Sequence, residues 1–220
     1  MTDLQLLTLL SNLQVGVHIG CCVLCFSRLE RLTQPLRIFA YFLFSTLVLN
    51  YSMSLLAEVR VNNLAMTHLV VLVEFIFLSA FFRQLLPREN WLQQHYRFYL
   101  ASIGGLVIAN TLFVEPINTF NTNAKVLVLF VIIFWSARFF YDRLQQISET
   151  NREEKVLRQL VSGILLYYSG SFFVYLFYKF TLNNEVFYSD KMLIFNAGLY
   201  LVFTLIILTA LVRVRPTANA

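Results

Sequence analysis

The stretch Leu64–Leu86 reads LAMTHLVVLVEFIFLSAFFRQLL and is apolar along almost all of its length. A helix rises about 1.5 Å per residue, so about 20 apolar residues are enough to cross the hydrocarbon core of a bilayer. Glu74 is the only acidic residue in this stretch, and it lies about halfway along. The stretch therefore predicts a membrane-spanning helix with one carboxyl group deep in the apolar layer.

The composition extends this prediction to the whole chain. Of the 220 residues, 58% are hydrophobic and 13% are charged, and the mean hydropathy is +0.66. Soluble domains contain about 25% charged residues, so a disordered chain, a disulfide scaffold and a water-soluble enzyme are excluded. We predict an all-α integral membrane protein in which residues 1–220 form a single seven-transmembrane-helix bundle. The predicted spans are Leu4–Ser27, Arg37–Ala57, Leu64–Leu86, Arg97–Val114, Asn123–Asp142, Val156–Lys179 and Met192–Val212.

The distribution of Lys and Arg predicts the orientation of the chain. With the N-terminus outside, 13 of the 17 basic residues lie toward the inside. The outer segments then hold only Arg60, Lys125, Lys179 and Lys191. Basic residues near span ends resist translocation, so we predict the N-terminus outside and the C-terminus in the cytoplasm. This bias explains the net charge of +5, and no nucleic-acid partner is predicted.

The segment before the first span, Met1-Thr2-Asp3, lacks the basic region of a secretory signal, so we expect the first span to be a permanent helix. The longest inner segment, Asp142–Arg158, reads DRLQQISETNREEKVLR and is predominantly polar. We expect it to extend the fifth and sixth spans as helices beyond the bilayer. It is typical either of a surface that docks a cytoplasmic partner, or of a solvated connector facing lipid headgroups.

Short matching strings suggest an internal repeat. Spans one and five end with Glu30-Arg31-Leu32 and Asp142-Arg143-Leu144, and spans two and six share Tyr-Ser-x-Ser at Tyr51 and Tyr168. The common order and orientation fit a parallel 3+1+3 repeat in which span four joins two three-helix halves. The spacings between the strings differ, and such coincidences are common in chains rich in Leu, Phe and Ser. The sequence leaves the repeat open.

Polar side chains inside the predicted spans are candidates for function. Glu74 is expected about 15 Å from the outer end of span three, near the bilayer midplane. A lone ionised carboxylate is costly there, so we expect it to be protonated, paired with a cation or facing a wet cavity. The group predicted at similar depth is typical either of a ligand- or proton-binding centre or of neutral interhelical hydrogen bonding. Its members are Asn50, Tyr168, Ser171, Tyr200 and Thr204, with His18 slightly further in.

A second group of polar residues is predicted nearer the outside: His68, Asn110, Glu115, Lys125 and Asn196. On span seven, Asn196, Tyr200 and Thr204 follow one another at i, i+4 and i+8, so they share one helix face. Ordinary interfacial side chains at helix ends are the alternative interpretation of the outer positions. We predict an outward-facing polar pocket that binds a ligand through Glu74, His68, Asn50, Asn110, Tyr168, Ser171, Asn196 and Tyr200.

The sequence contains no complete metal or catalytic motif. One stripe of span one carries His18, Cys21, Cys22 and Cys25. A single helix cannot close a tetrahedral zinc site, so we expect thiols that are buried or face lipid. The string Ser169-Gly170-Ser171 resembles a buried serine nucleophile, but no His is predicted beside it, and small residues at a helix interface explain it better. We therefore predict a non-enzymatic protein without a cofactor.

Three groups of residues carry a resemblance. They are Asn63-Leu64, His68 and Glu74-Phe75 in span three, Thr119-Phe120-Asn121-Thr122 before span five, and Tyr167, Ser169, Gly170 and Ser171 in span six. Together they resemble an uncharacterised family of small bacterial seven-transmembrane-helix proteins, often encoded beside sensor histidine kinases. The resemblance implies a location in the bacterial inner (cytoplasmic) membrane and a link to signalling, but no established activity.

These observations favour a non-enzymatic sensor or receptor-like protein. Its outer half would bind a small or lipidic ligand, and the resulting helix shifts would change the inner surface around Arg143–Arg158 that is offered to a partner. The first alternative is a small-solute or proton-coupled transporter of 3+1+3 design. The second alternative is a structural subunit of a larger membrane complex.

Overall fold

The computed structural model describes residues 3–144, 152–184 and 186–214, with side chains at all of these except 4 and 178–190. All regular secondary structure in the described residues is helical, as the composition predicts. A single 3₁₀ turn at Leu29–Arg31 follows the first α-helix. The α-helices are α1 (Asp3–Phe26), α2 (Gln34–Glu58), α3 (Leu64–Leu85), α4 (Trp91–Gln94), α5 (Tyr96–Phe113), α6 (Thr122–Leu144), α7 (Arg152–Asn184) and α8 (Val186–Val212).

Six of these helices are long and apolar enough to cross a membrane, namely α1, α2, α3, α6, α7 and α8. Each overlaps a predicted span, so the prediction of a helical membrane protein is confirmed. The remaining predicted span, the fourth (Arg97–Val114), overlaps α5, which has 18 residues that include Arg97 and Asn110. By length and composition alone, α5 does not qualify as a span.

The turn between α2 and α3 contains one strained residue. The amide of Arg60 donates to the carbonyl of Ala57 at 3.1 Å. The amide of Val61 donates to the carbonyl of Leu56 at 2.9 Å, which completes a Schellman motif at the end of α2. Arg60 has a φ of 56°, a left-handed conformation that glycine adopts at lower cost.

The chain forms two compact units. Unit 1 comprises Met1–Leu32 and Ile133–Ala220 and contains α1, α7, α8 and the second half of α6. Unit 2 comprises Thr33–Ile132 and contains α2, α3, α4, α5 and the first half of α6. These units group α1 with α7 and α8, whereas the predicted repeat groups α1 with α2 and α3. The compact units are therefore not the halves of the predicted repeat.

In unit 1, α1 and α8 lie side by side and run in the same direction. Near their beginnings, the Lys191 ammonium bonds the Asp3 carboxylate at 2.8 Å. Just beyond their ends, the Arg28 guanidinium donates to the carbonyl of Val214 at 2.8 Å. The first residues of the two helices meet, and so do the residues that follow their last turns, so the helices are parallel.

The packing of α7 against α8 depends on small residues. A Cβ atom added to Gly163 would lie 3.0 Å from the side chain of Ile206, and one added to Gly170 would overlap the side chain of Leu199. Small residues allow membrane helices to approach closely. Gly170 therefore lies at a helix interface, which is the interpretation that the sequence favours for the string 169–171.

In unit 2, α3 packs between α2 and α5, and α5 runs antiparallel to α3. The Ser79 hydroxyl lies 3.0 Å from the Tyr99 hydroxyl near one end of this pair. Near the other end, Nδ1 of His68 lies 2.9 Å from the Thr111 hydroxyl. Residue numbers increase along α3 where they decrease along α5. The two helices therefore lie alongside each other over this length in opposite directions.

The polar connector 142–158 extends two helices, as predicted. α6 continues to Leu144 and α7 begins at Arg152, whereas residues 145–151 lie outside the described residues. Glu154 bonds Arg158 at 2.7 Å and lies 3.9 Å from Arg143. One ion pair, Arg143–Glu154, therefore joins the end of α6 to the beginning of α7.

Candidate functional site

Glu74 lies in the middle of α3 and is buried. It is about 15 Å from the beginning of the helix. Its carboxylate accepts a hydrogen bond from the Lys125 ammonium, and the side chains of Lys125 and Glu74 are only 8% and 9% exposed. Of the three environments expected for this carboxylate, the structure has the ion pair.

Lys125 meets Glu74 because the loop between α5 and α6 folds inward. Lys125 is in the first turn of α6, yet its partner is halfway along α3. Within the loop, residues 114–121, the side chains of Glu115 and Asn121 are buried. The loop is therefore packed against α3 at His68, and the Lys125 side chain extends from the beginning of α6 to Glu74.

His68 binds this loop to two helices. It is buried one turn into α3, with Nδ1 2.9 Å from the Thr111 hydroxyl on α5 and Nε2 3.1 Å from the carbonyl of Thr119 in the loop. A carbonyl only accepts hydrogen bonds, so we assign the proton to Nε2, which donates to Thr119. One imidazole thus connects α3, α5 and the loop.

Glu115 caps α6 from the loop. Its Oε2 accepts hydrogen bonds of 2.9 Å from the backbone amide of Asn123 and from the side-chain amide of Asn110. A carboxylate at a helix N-terminus is favourable because the first amides have no partner within the helix and carry partial positive charge. The side chain of Asn121, the residue before α6, is therefore not needed as the cap. Its Oδ1 instead accepts a hydrogen bond from the Asn110 side chain at 3.2 Å.

The side-chain nitrogen of Asn121 has no hydrogen-bond partner among the described residues, although Asn121 is only 2% exposed. A buried donor without an acceptor costs about 1–3 kcal/mol, so an acceptor atom placed at this point, from water or from a bound molecule, would be stabilised. We call the group that contains this donor the unit 2 cluster. It consists of His68, Glu74, Asn110, Glu115, Asn121 and Lys125.

A second polar group lies in unit 1 and contains only neutral side chains. The Tyr200 hydroxyl lies 3.1 Å from Nδ1 of His18, which joins α8 to α1. The Ser171 hydroxyl donates to Oδ1 of Asn196 at 2.6 Å, which joins α7 to α8. Tyr168 is fully buried on α7. These residues serve as interhelical contacts.

The eight residues of the predicted pocket are thus distributed over both units. Unit 2 brings together His68, Glu74 and Asn110, whereas Tyr168, Ser171, Asn196 and Tyr200 belong to unit 1. Asn50, on α2 in unit 2, is exposed and is not part of the unit 2 cluster.

Sequence reasoning underestimated the outer residues of the unit 2 cluster. Lys125 and Glu115 were predicted only as polar residues near helix ends, and Asn121 entered only through the resemblance. The signal available was a lone Lys in the first turn of one span and a lone Glu within another, since a buried charge requires a partner.

The thiol stripe of α1 is structural. Cys21, Cys22 and Cys25 are all buried, and the Cys21 thiol lies 3.6 Å from the carbonyl of Thr204 on α8. In the described part of the chain, no group of three or more His, Cys, Asp and Glu residues is arranged to bind a metal ion.

Comparison of the chain with protein-family models, curated proteins and solved structures gives no match.

Proposed function

We propose that the chain crosses the membrane seven times, with α5 as the additional span, the N-terminus outside and the C-terminus in the cytoplasm. The first support is the position of α5 beside α3. From the His68–Thr111 contact to the Arg83 guanidinium, 4.5 Å from the ring centre of Tyr96, α5 follows α3 for about 22 Å. A helix alongside a membrane-spanning helix for this distance crosses the same apolar layer.

The second support is the parallel direction of α1 and α8. If α1 runs from outside to inside, α8 does the same, so the chain between them crosses the membrane an odd number of times. The helices α2, α3, α6 and α7 provide four crossings. The fifth crossing is then α5, and the excess of basic residues places the ends of α1 and α8 inside.

Labelling tests this topology on the two sides of α5. Glu89 and Ile117 are exposed and flank the helix. Single cysteines at these two positions, in a chain whose buried native thiols are replaced, should react with a membrane-impermeant maleimide from opposite sides. Reaction of both from the same side would remove α5 as a span.

We infer further that this protein is a receptor-like membrane sensor that binds a small ligand at the unit 2 cluster. The carrying observation is the unpartnered Asn121 amide in the same buried cluster as the Glu74–Lys125 ion pair. A buried ion pair is a poor device for stability, because desolvation can exceed the attraction between the charges. Ionisable residues inside spans are typical of functional sites.

The cluster also indicates the chemistry of the ligand. The Asn121 side-chain nitrogen can only donate, so the matching group is an acceptor oxygen such as a carbonyl or carboxylate. Entry of this oxygen at Asn121 would change the bonds that connect α5 and the loop to the beginning of α6. The expected ligand is therefore a small polar molecule with at least one carbonyl or carboxylate group.

The output surface of this sensor is the inner end of α6 and the beginning of α7. α6 is one continuous helix with Lys125 in its first turn and Arg143 in its last. A shift of α6 on binding would alter the Arg143–Glu154 contact and the surface around Arg143–Arg158. The proposed partner is a sensor kinase or another membrane protein, and the proposed location is the bacterial inner membrane, both on the strength of the resemblance.

Ligand-dependent thermal stability tests the binding function. The purified full chain is screened against small carboxylic acids and other polar metabolites, and a ligand at 100 times its Kd should stabilise the protein by about 2.7 kcal/mol. Asn121→Asp replaces the unpartnered donor by an acceptor and keeps the oxygen that faces Asn110, so it should abolish the shift. Asn50→Asp is the matched control and should retain it. A library without any stabilising compound, or equal shifts in both variants, would overturn the binding site.

A further inference from the structure

Three arginines of unit 1 converge where α1 and α8 end and α7 begins. The Arg28 guanidinium donates to the carbonyl of Val214 at 2.8 Å, and Nε of Arg152 donates to the carbonyl of Arg213 at 3.0 Å. These two carbonyls belong to adjacent residues, whose Cα atoms are about 3.8 Å apart. Two guanidinium groups are therefore drawn to the same end of α8, and Arg213 itself is the third. We call Arg28, Arg152 and Arg213 the arginine triad.

The triad is oriented by neutral acceptors rather than by carboxylates. Gln159 accepts from Arg213 at 2.9 Å and donates to the Thr209 hydroxyl at 2.8 Å, so its amide is fixed on both sides. Within the described residues, no carboxylate lies within salt-bridge distance of the triad. The nearby Glu154 is engaged by Arg158 and Arg143 instead.

Counted over the described residues, the triad retains most of its hydrogen-bonding capacity. A guanidinium group has five N–H donors, and each contact above uses one of them. The carbonyls at the end of α8 supply only about half a negative charge against three positive charges. Glu153 is an exposed acid in the first turn of α7. The surface at this end of unit 1, where Arg152 and Arg213 are exposed, therefore carries an excess of positive charge and of unused N–H donors.

The position of the triad at the ends of α1 and α8 indicates which kind of anion it binds. The candidate spans of α1 and α8 end at Phe26 and Val212. Arg28 and Arg213 come within two residues of these limits, at the level where lipid headgroups begin. Arginine matches the geometry of phosphate because two parallel N–H groups can bond two of its oxygens. We propose that the arginine triad is a binding site for the phosphate of an anionic phospholipid headgroup.

Titration of the delipidated full chain in detergent tests the site, with bound lipid counted by native mass spectrometry. Phosphatidylglycerol should bind in preference to phosphatidylcholine. Arg152→Gln should weaken this binding about five-fold, and adding Arg213→Gln should weaken it a further five-fold or so, the equivalent of about 1 kcal/mol per basic residue at an anionic surface. Both side chains are exposed, so these variants should keep the thermal stability of the lipid-free protein.

Arg88→Gln is the matched control, because Arg88 is an exposed arginine of unit 2. It should leave phosphatidylglycerol binding unchanged, and an equal loss in this variant would reduce the effect to net charge and overturn the site. Binding that does not change on removal of Arg152 and Arg213 would overturn it as well. Inorganic phosphate, which lacks acyl chains, should not raise the Tm at concentrations at which phosphatidylglycerol does. An equal rise would indicate a site for free phosphate and contradict the lipid assignment.

Discussion

The two units place polar groups within helices of membrane-spanning length in different ways. In unit 1, the described side-chain hydrogen bonds in the middle of α1, α7 and α8 are made by neutral groups, such as the Ser171–Asn196 bond and the His18–Tyr200 pair, and the ion pair Lys191–Asp3 lies at the helix beginnings. In unit 2, the middle of α3 carries an ion pair, Glu74–Lys125. Unit 2 also contains a buried donor without a partner among the described residues.

The difference separates structural from functional polarity. Neutral interhelical hydrogen bonds contribute only about 0.6 kcal/mol on average. Burying two charges and leaving a donor open both oppose folding, so their presence calls for another reason. We interpret unit 1 as the scaffold and the unit 2 cluster as the binding site. The predictions below test this contrast by changing one unit at a time.

The largest effect is expected when the ion pair of unit 2 is broken. Lys125→Met leaves the buried Glu74 carboxylate without its cation and should destabilise the protein by about 3 kcal/mol. Ser171→Ala removes one neutral bond of unit 1 and should cost about 0.6 kcal/mol. Unfolding of the purified variants by denaturant in the same detergent measures both. Equal losses in the two variants would erase the distinction between the units.

A smaller effect is expected from the packing of α7 against α8 in unit 1. Gly170→Ala forces the side chain of Leu199 to move and should destabilise by about 1 kcal/mol. Gly198→Ala is the control, because a Cβ atom there meets nothing within 4 Å and alanine favours the helix by about 0.8 kcal/mol. The two alanine variants should shift the thermal midpoint in opposite directions. A shift of the same sign would mean that close packing at Gly170 does not stabilise the scaffold.

The smallest effect is expected in the turn after α2 in unit 2, far from charge pairing. Arg60→Gly removes the strain of a left-handed backbone conformation. It should stabilise the protein by about 0.5 kcal/mol, because the relief of strain exceeds the entropy cost of ordering a more flexible glycine. Arg88→Gly removes the same side chain where no positive φ requires glycine, and it should destabilise by about 0.5 kcal/mol. Differential scanning calorimetry of the two variants tests this prediction. The prediction fails if Arg60→Gly lowers the midpoint of thermal unfolding.

The helices and the depth of Glu74 could be predicted from the sequence because both depend on local hydropathy. A run of apolar residues sets where a helix begins and ends, and the rise per residue then sets the depth of Glu74. The helix-interface role of Gly170 followed from the small residues around it in the same way.

The partners of these residues could not be predicted, because hydropathy does not specify which helices are neighbours. Lys125 reaches Glu74 only because the loop 114–121 turns inward, and nothing in its polar composition distinguishes it from a surface loop. Asn50 lies at the expected depth but on an exposed face of α2, since depth does not determine which way a helix is rotated.

Double replacement of the ion pair tests the central claim most directly. Glu74→Leu combined with Lys125→Met removes both charges, so the free protein should recover most of the stability that Lys125→Met alone loses. The thermal shift with each ligand identified for the wild-type protein is then measured on this double variant. We predict a folded protein with near-wild-type stability and no ligand-induced shift. A stable double variant that responds to the ligand as the wild type does would contradict the account, because the ion pair would then be structural.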